Sequence, residues 1–217
     1  MVKPIIFCDF DGTITNSDNI IAIMKRFAPK GWEDIKDQIL SREISINEGV
    51  GQLFSLLPTK MKDEITEFAI TNAKIRAGFR EFVEFTRNQE IPLYIVSGGI
   101  DFFLHPILEV FGPFADIYCN QSDFSGEFIN ILWPHPCDSE CHNDCGCCKP
   151  SIIRKIIQGE DHFKIVIGDS VTDLEAAKHA DFVLARDLLQ EKCEEWELNY
   201  QGFKSFYECI DEIKKRI

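Results

Sequence analysis

No apolar run in this chain approaches the ~20 residues that a helix needs to cross a bilayer. The N-terminus lacks a basic segment followed by an apolar stretch and a small-residue cleavage site, so no secretory leader is expected. Basic charge is scarce: 23 Lys and Arg stand against 36 Asp and Glu, a formal net charge of −13. Nucleic acid and anionic membranes both require basic surface, so neither is expected as a partner. Internal repeats and low-complexity linkers are also missing. These absences predict a cytoplasmic globular protein that binds something small. If that ligand is anionic, an acidic chain needs local help from a metal cation or from backbone N–H groups.

What is present fits that outline. The 217 residues are 45% hydrophobic, enough for one large domain or a domain with a modest insertion. There are nine cysteines, an odd number, and five of them crowd between Cys137 and Cys148. Local crowding and an odd count argue against a secreted disulfide framework.

The opening "PIIFCDFDGT" reads as a short buried strand broken by Gly12 and Thr13. "NSDNIIAIMKRFAP" reads as a helix with Asn16, Ser17 or Asp18 as its cap. Further helices fill the chain to about residue 75, punctuated by Pro29, Gly31 and Pro58. Strand and helix then alternate. "IPLYIVSGG" and "FKIVIGDS" are buried strands, "FVLA" is a last short one, and 187–217 is expected to be helical. Short strands with a turn at Ser125-Gly126 are expected before the cysteine segment. Phe79, Phe82, Phe85, Phe102, Phe103 and Phe111 are expected in the core. The predicted class is α/β: a Rossmann-like parallel sheet with helices on both faces. A helical cap of residues 15–75 is inserted after the first strand, and residues 1–14 and 76–217 form the catalytic core.

In such folds the ligand site lies at the carboxyl ends of the strands. The first strand ends at Asp9, with Asp11 two residues on. Another ends at Ser97-Gly98-Gly99, and a third at Gly168-Asp169-Ser170, with Asp173 following. A helix begins just after Lys149. Together these ends offer several carboxylates, a hydroxyl and an ammonium. Crowded carboxylates call for shared protons or a hard divalent cation such as Mg²⁺. Glycine-rich turns offer N–H groups to an anion. The combination suits metal-assisted phosphoryl transfer.

The four motifs, "DFDGT" at 9–13, "VSGG" at 96–99, Lys149 and "GDSVTD" at 168–173, resemble those of the haloacid-dehalogenase superfamily of phosphatases, and they occur in that order. The resemblance implies an HAD-like fold and a small phosphorylated metabolite as substrate. It implies Asp9 as nucleophile and Asp11 as general acid and base. Ser97, Gly98 and Lys149 would bind phosphate, Mg²⁺ would sit on Asp9, the Asp11 carbonyl and Asp169, and Asp173 would support the site. An inserted cap after the first motif is similar to the phosphoserine-phosphatase-like branch. There, Asp18 falls near a cap Glu and Leu53 near a cap Arg that bind the amino-acid part of the substrate. A leucine cannot pair with a carboxylate, so an uncharged, partly apolar substrate is expected under Leu53, Phe54, Leu56 and Leu57. Phosphocholine or phosphoethanolamine is the next alternative, with Trp32 and Asp18 as its candidate cage. A non-catalytic binding module would have no need of the full set of catalytic side chains.

In "HPCDSECHNDCGCCKP", Cys137, Cys141, Cys145, Cys147 and Cys148 follow one another with three, three, one and no residues between. Three readings stay open: a structural Zn²⁺, a disulfide, or reduced thiols. The segment leads into Lys149, so any constraint on it could position that ammonium.

Overall fold

The computed structural model describes residues 2–158 and 161–217. The chain opens with β1 (Lys3–Cys8), then α1 (Asn19–Phe27), α2 (Trp32–Leu40), α3 (Ile46–Ser55) and α4 (Lys62–Asn72). Next come α5 (Phe79–Asn88), β2 (Leu93–Ile100), α6 (Asp101–Leu108), β3 (Asp116–Asp123) and β4 (Asn130–Leu132). After them follow α7 (Lys149–Ile156), β5 (His162–Gly168), α8 (Leu174–Lys178) and β6 (Phe182–Ala185). The chain finishes with α9 (Asp187–Glu195), β7 (Tyr200–Gly202) and α10 (Phe206–Lys214).

The strands form one sheet in the order β4-β3-β2-β1-β5-β6-β7, with every pair parallel except β3–β4. β1 lies inside it, and its side chains alternate between two cores. Ile6 and Cys8 face the larger cluster, while Ile5 and Phe7 face a second one with Ile152, Ile153 and Val166. That is why the strand reads as a continuous apolar run: helices cover both faces. Phe79, Phe82, Phe102 and Phe103 are buried in the larger core, and Phe85 and Phe111 pack against it. Among the described residues no helix is long and apolar enough to cross a membrane.

The helices between β1 and α5 leave and rejoin the sheet side by side. Thr15 and Ile75 form an antiparallel bridge, Asn16 N donates to Lys74 O at 2.9 Å, and Arg76 N donates to Ile14 O at 2.8 Å.

One local expectation is corrected and one is narrowed. The tail is not helical throughout: Tyr200–Gly202 pairs with β6 as an edge strand. Three residues with little apolar character carry no periodic signal, and only the neighbouring strand's unpaired groups define them. The cap of α1 is Asp18, whose carboxylate accepts from Ile21 N at 2.9 Å, while Asn16 and Ser17 lie before it.

Candidate active site

The sheet order explains how distant motifs meet. β2, β1 and β5 are adjacent and parallel, in register at Cys8 with Ile95 on one side and Ile167 on the other. The strand ends carrying Ser97, Asp9 and Asp169 therefore lie side by side. Asp9 extends the ladder, its N–H donating to Ile167 O at 2.9 Å.

Lys149 is the first residue of α7 and joins the group from one side. Its ammonium contacts Asp9 Oδ1 at 2.7 Å and Asp173 Oδ1 at 2.5 Å. All three side chains are at most 5% exposed. Burial alone would lower the lysine pKa. The carboxylates of Asp173 and then Asp9 outweigh it and hold the ammonium above the ordinary lysine range. Asp173 is itself fixed by its other oxygen, which accepts from the N–H groups of Asp169 and Ser170 at 3.1 Å each.

Asp9, Asp169 and Asp173 present carboxylate oxygens within 4.8 Å of one another. Burial pushes Asp9 upward, and burial with the Asp173 charge pushes Asp169 to about 7. Three carboxylates served by one ammonium leave excess negative charge, which suits a hard divalent cation with oxygen ligands. Thr13 Oγ1 donates to Asp169 Oδ1 at 2.6 Å and fixes its orientation. Gly12 has φ +76°, and a Cβ there would run into the Asp169 carboxylate, so the turn after β1 needs glycine on both counts.

The Asp11 carboxylate stands apart from that cluster. Its Oδ1 accepts from Asn19 N at 2.9 Å and from Asn19 Nδ2 at 2.6 Å. Burial, followed by the charge of Asp18, raises Asp11 to about 8. A carboxyl group of this kind carries its proton at neutral pH, as a general acid must.

Ser97 is fully buried, and its Oγ accepts from Gly99 N at 2.9 Å, inside the irregular stretch of β2 where the register shifts between Val96 and Ile100. The Gly98 carbonyl accepts from Asn120 Nδ2 at 2.8 Å. Motif reading missed three supports. Asn19 holds Asp11, Thr13 holds Asp169, and the buried Arg76 donates to the carbonyls of Gly12, Thr13 and Thr15. Arg76 lies about sixty residues beyond the loop it grips, and nothing local in the sequence marks it.

The expected apolar wall is corrected. Leu53, Phe54 and Leu57 are buried in the main core, with Phe54 edge-on to Phe102 at 6.1 Å, and Leu56 packs against that core. An amphipathic helix turns its apolar face toward its neighbours, and α3 follows that rule. Trp32 is likewise core, and the Lys36 ammonium already lies 6.0 Å from the centre of its ring.

All nine cysteines are free. Cys137, Cys141, Cys145 and Cys148 converge, with their sulfurs within 4.8 Å of one another. Cys147 does not join them. It points into the second core beside Phe7, Val96 and Ile153.

Three kinds of relative match this chain. The family described as haloacid dehalogenase-like hydrolase matches residues 6–178. A protein of Geobacillus thermodenitrificans (strain NG80-2), named 2-hydroxy-3-keto-5-methylthiopentenyl-1-phosphate phosphatase, is 56% identical over 97% of this chain and 96% of its own. Proteins with the same name from Geobacillus kaustophilus (strain HTA426) and Bacillus cereus (strain ATCC 10987 / NRS 248) are 57% and 54% identical. Each covers at least 96% of this chain and 95% of its own length. Among solved structures, a phospho-aspartyl intermediate analogue of phosphoserine phosphatase superposes with TM-score 0.74 at 19% identity, covering 98% of this chain and 99% of the other. A substrate-bound phosphoserine phosphatase gives TM-score 0.74 at 20% identity with the same coverage. At those identities the likeness is one of fold. By its motifs, its sheet and its match over most of its length, this chain belongs to the haloacid dehalogenase-like hydrolase family.

Proposed function

We propose that the chain is a Mg²⁺-dependent phosphatase that hydrolyses 2-hydroxy-3-keto-5-methylthiopentenyl-1-phosphate, an intermediate of methionine salvage. One observation carries the substrate: 54–57% identity, over at least 96% of the chain, to relatives bearing that name. The site supports the chemistry. The Asp9 oxygen not held by Lys149 attacks phosphorus, and a new P–O bond forms as the ester P–O bond breaks. Asp11 gives its proton to the departing oxygen. It then takes a proton from water, whose oxygen attacks phosphorus as the bond to Asp9 breaks and phosphate leaves. Lys149, Ser97 and the Gly98 N–H receive the phosphate oxygens, and Asp173 keeps Lys149 in place. Asp9, the Asp11 carbonyl and Asp169 would hold Mg²⁺, whose charge would offset the repulsion between nucleophile and phosphate. Residues 1–14 and 76–217 form the catalytic core. Residues 15–75 form a cap that closes over the leaving group.

Phosphocholine and phosphoserine are the competing substrates. Trp32 is already packed in the core under Lys36, which leaves it unsuited to a choline cage. Leu53, at the position that resembles a cap Arg, is an apolar core residue and supplies no cation to a substrate carboxylate, whose burial without a partner costs several kcal/mol. The test is kcat/KM for all three esters under identical Mg²⁺. The methylthio substrate should exceed the others by at least about 100-fold, roughly 2.7 kcal/mol of transition-state binding. Equal values for phosphoserine would overturn the substrate and leave the catalytic assignments standing.

A further inference from the structure

Residues 133–148, between β4 and α7, contain neither helix nor strand. A segment of that length usually needs something other than backbone pairing to hold it. It nevertheless has contacts at both ends of the site. Asp138 makes a two-pronged ion pair with Arg154 on α7, at 2.8 and 2.5 Å. Asp144 accepts from Ser45 Oγ at 2.5 Å and, through its carbonyl, from Asn47 N at 3.3 Å at the start of α3. The segment thus links the inserted helices to the helix that begins with Lys149.

At its centre lie four sulfurs. Those of Cys141 and Cys145 are 3.8 Å apart, and all four are mutually within 4.8 Å. A disulfide would bring a pair to about 2.05 Å. A zinc ion with four Zn–S bonds of about 2.3 Å sets the sulfurs of its tetrahedron about 3.8 Å apart. With Cys147 turned into the core, the spacing of the set also changes meaning. Cys137 and Cys141 are separated by three residues, and Cys145 and Cys148 by two, both within the range of structural zinc pairs. The intervening Cys147 hid the second pair in the sequence.

The surroundings match a thiolate set. Cys145 N donates to Cys137 Sγ at 3.5 Å, and Ser151 Oγ donates to Cys148 Sγ at 2.9 Å. Cys148 sits at the N-terminal cap of α7, where the helix favours negative charge. Gly146 has φ +76° and lies against the Trp133 ring, where a Cβ would be 2.8 Å from it. Only glycine allows the chain to turn there between the two ligands of the pair. Hydrogen bonds to sulfur of this kind orient metal thiolates.

We propose that Cys137, Cys141, Cys145 and Cys148 bind one structural zinc ion in a closed tetrathiolate site that fastens this segment between α3 and α7. The full chain, purified under reducing conditions with Mg²⁺ present, should contain one zinc per chain by elemental analysis. Native mass spectrometry of the unaltered protein should show the same adduct. In Cys141→Ser the zinc should fall at least tenfold, while Cys193→Ser, which alters a buried cysteine remote from the cluster, should keep it. Cobalt(II) exchanged into the unaltered protein should show the absorption of tetrahedral thiolate coordination. Protease should cut within 133–148 at least tenfold faster once zinc is removed. Zinc below a tenth of an equivalent in the unaltered protein, a disulfide among the four cysteines, or zinc unchanged in Cys141→Ser would each overturn the proposal.

Discussion

Replacing Arg76 with methionine isolates the work of one buried cation. Arg76 is 7% exposed. Its Nε donates to Thr13 O at 2.7 Å, and its Nη2 donates to Gly12 O at 2.7 Å and Thr15 O at 3.2 Å. Methionine keeps much of the stem and supplies no donor. The contacts to Thr13 and Thr15 are buried, so those carbonyls would be stranded away from water, while Gly12 O is nearer the surface. A stranded acceptor costs ~1–3 kcal/mol, so two cost ~2–6 kcal/mol, and part returns because no guanidinium has to be desolvated. The expected loss is about 3 kcal/mol, which in a chain of this size lowers Tm by roughly 6–12 °C. The same loop sets Asp11 and the turn at Gly12, so kcat should fall at least about tenfold with a smaller change in KM. Differential scanning calorimetry and steady-state kinetics on the purified variant read both effects. A Tm within about 2 °C of the parent, together with an unchanged kcat, would refute the reasoning.

Asp9→Asn should retain the fold and lose nearly all phosphatase turnover, measured by phosphate release, and near-parental activity would remove Asp9 from the nucleophile's role. Asp11→Asn should lose ~10²–10⁴-fold in kcat, since it keeps the shape and loses the proton donor. Stripping divalent cations should abolish turnover and added Mg²⁺ should restore it, so full activity in protein shown to be metal-free would refute the cation's role.

The sequence by itself determined the sheet and the candidate catalytic set. Buried strands on both faces of a sheet must be continuously apolar, and the chain interrupts such runs with Asp, Ser and Gly where they end. Asp9, Ser97 and Asp169 were legible for that reason, because a strand end is a local event. The same holds for Asp18, whose capping of α1 depends on its near neighbours. Partnership across the chain was decided by tertiary structure. Arg76 reads as an ordinary surface cation until the chain rejoins the sheet and its donors meet the carbonyls of Gly12, Thr13 and Thr15. β7 exists because β6 leaves an edge to pair with. Leu53, Phe54 and Leu57 could have faced a ligand or the core, and packing chose the core. Cys147 and Cys148 are adjacent in the chain yet part company, one into the core behind β1 and the other toward Cys137, Cys141 and Cys145. Residue type names the chemistry a side chain can do, and the direction in which the folded backbone points it decides with whom.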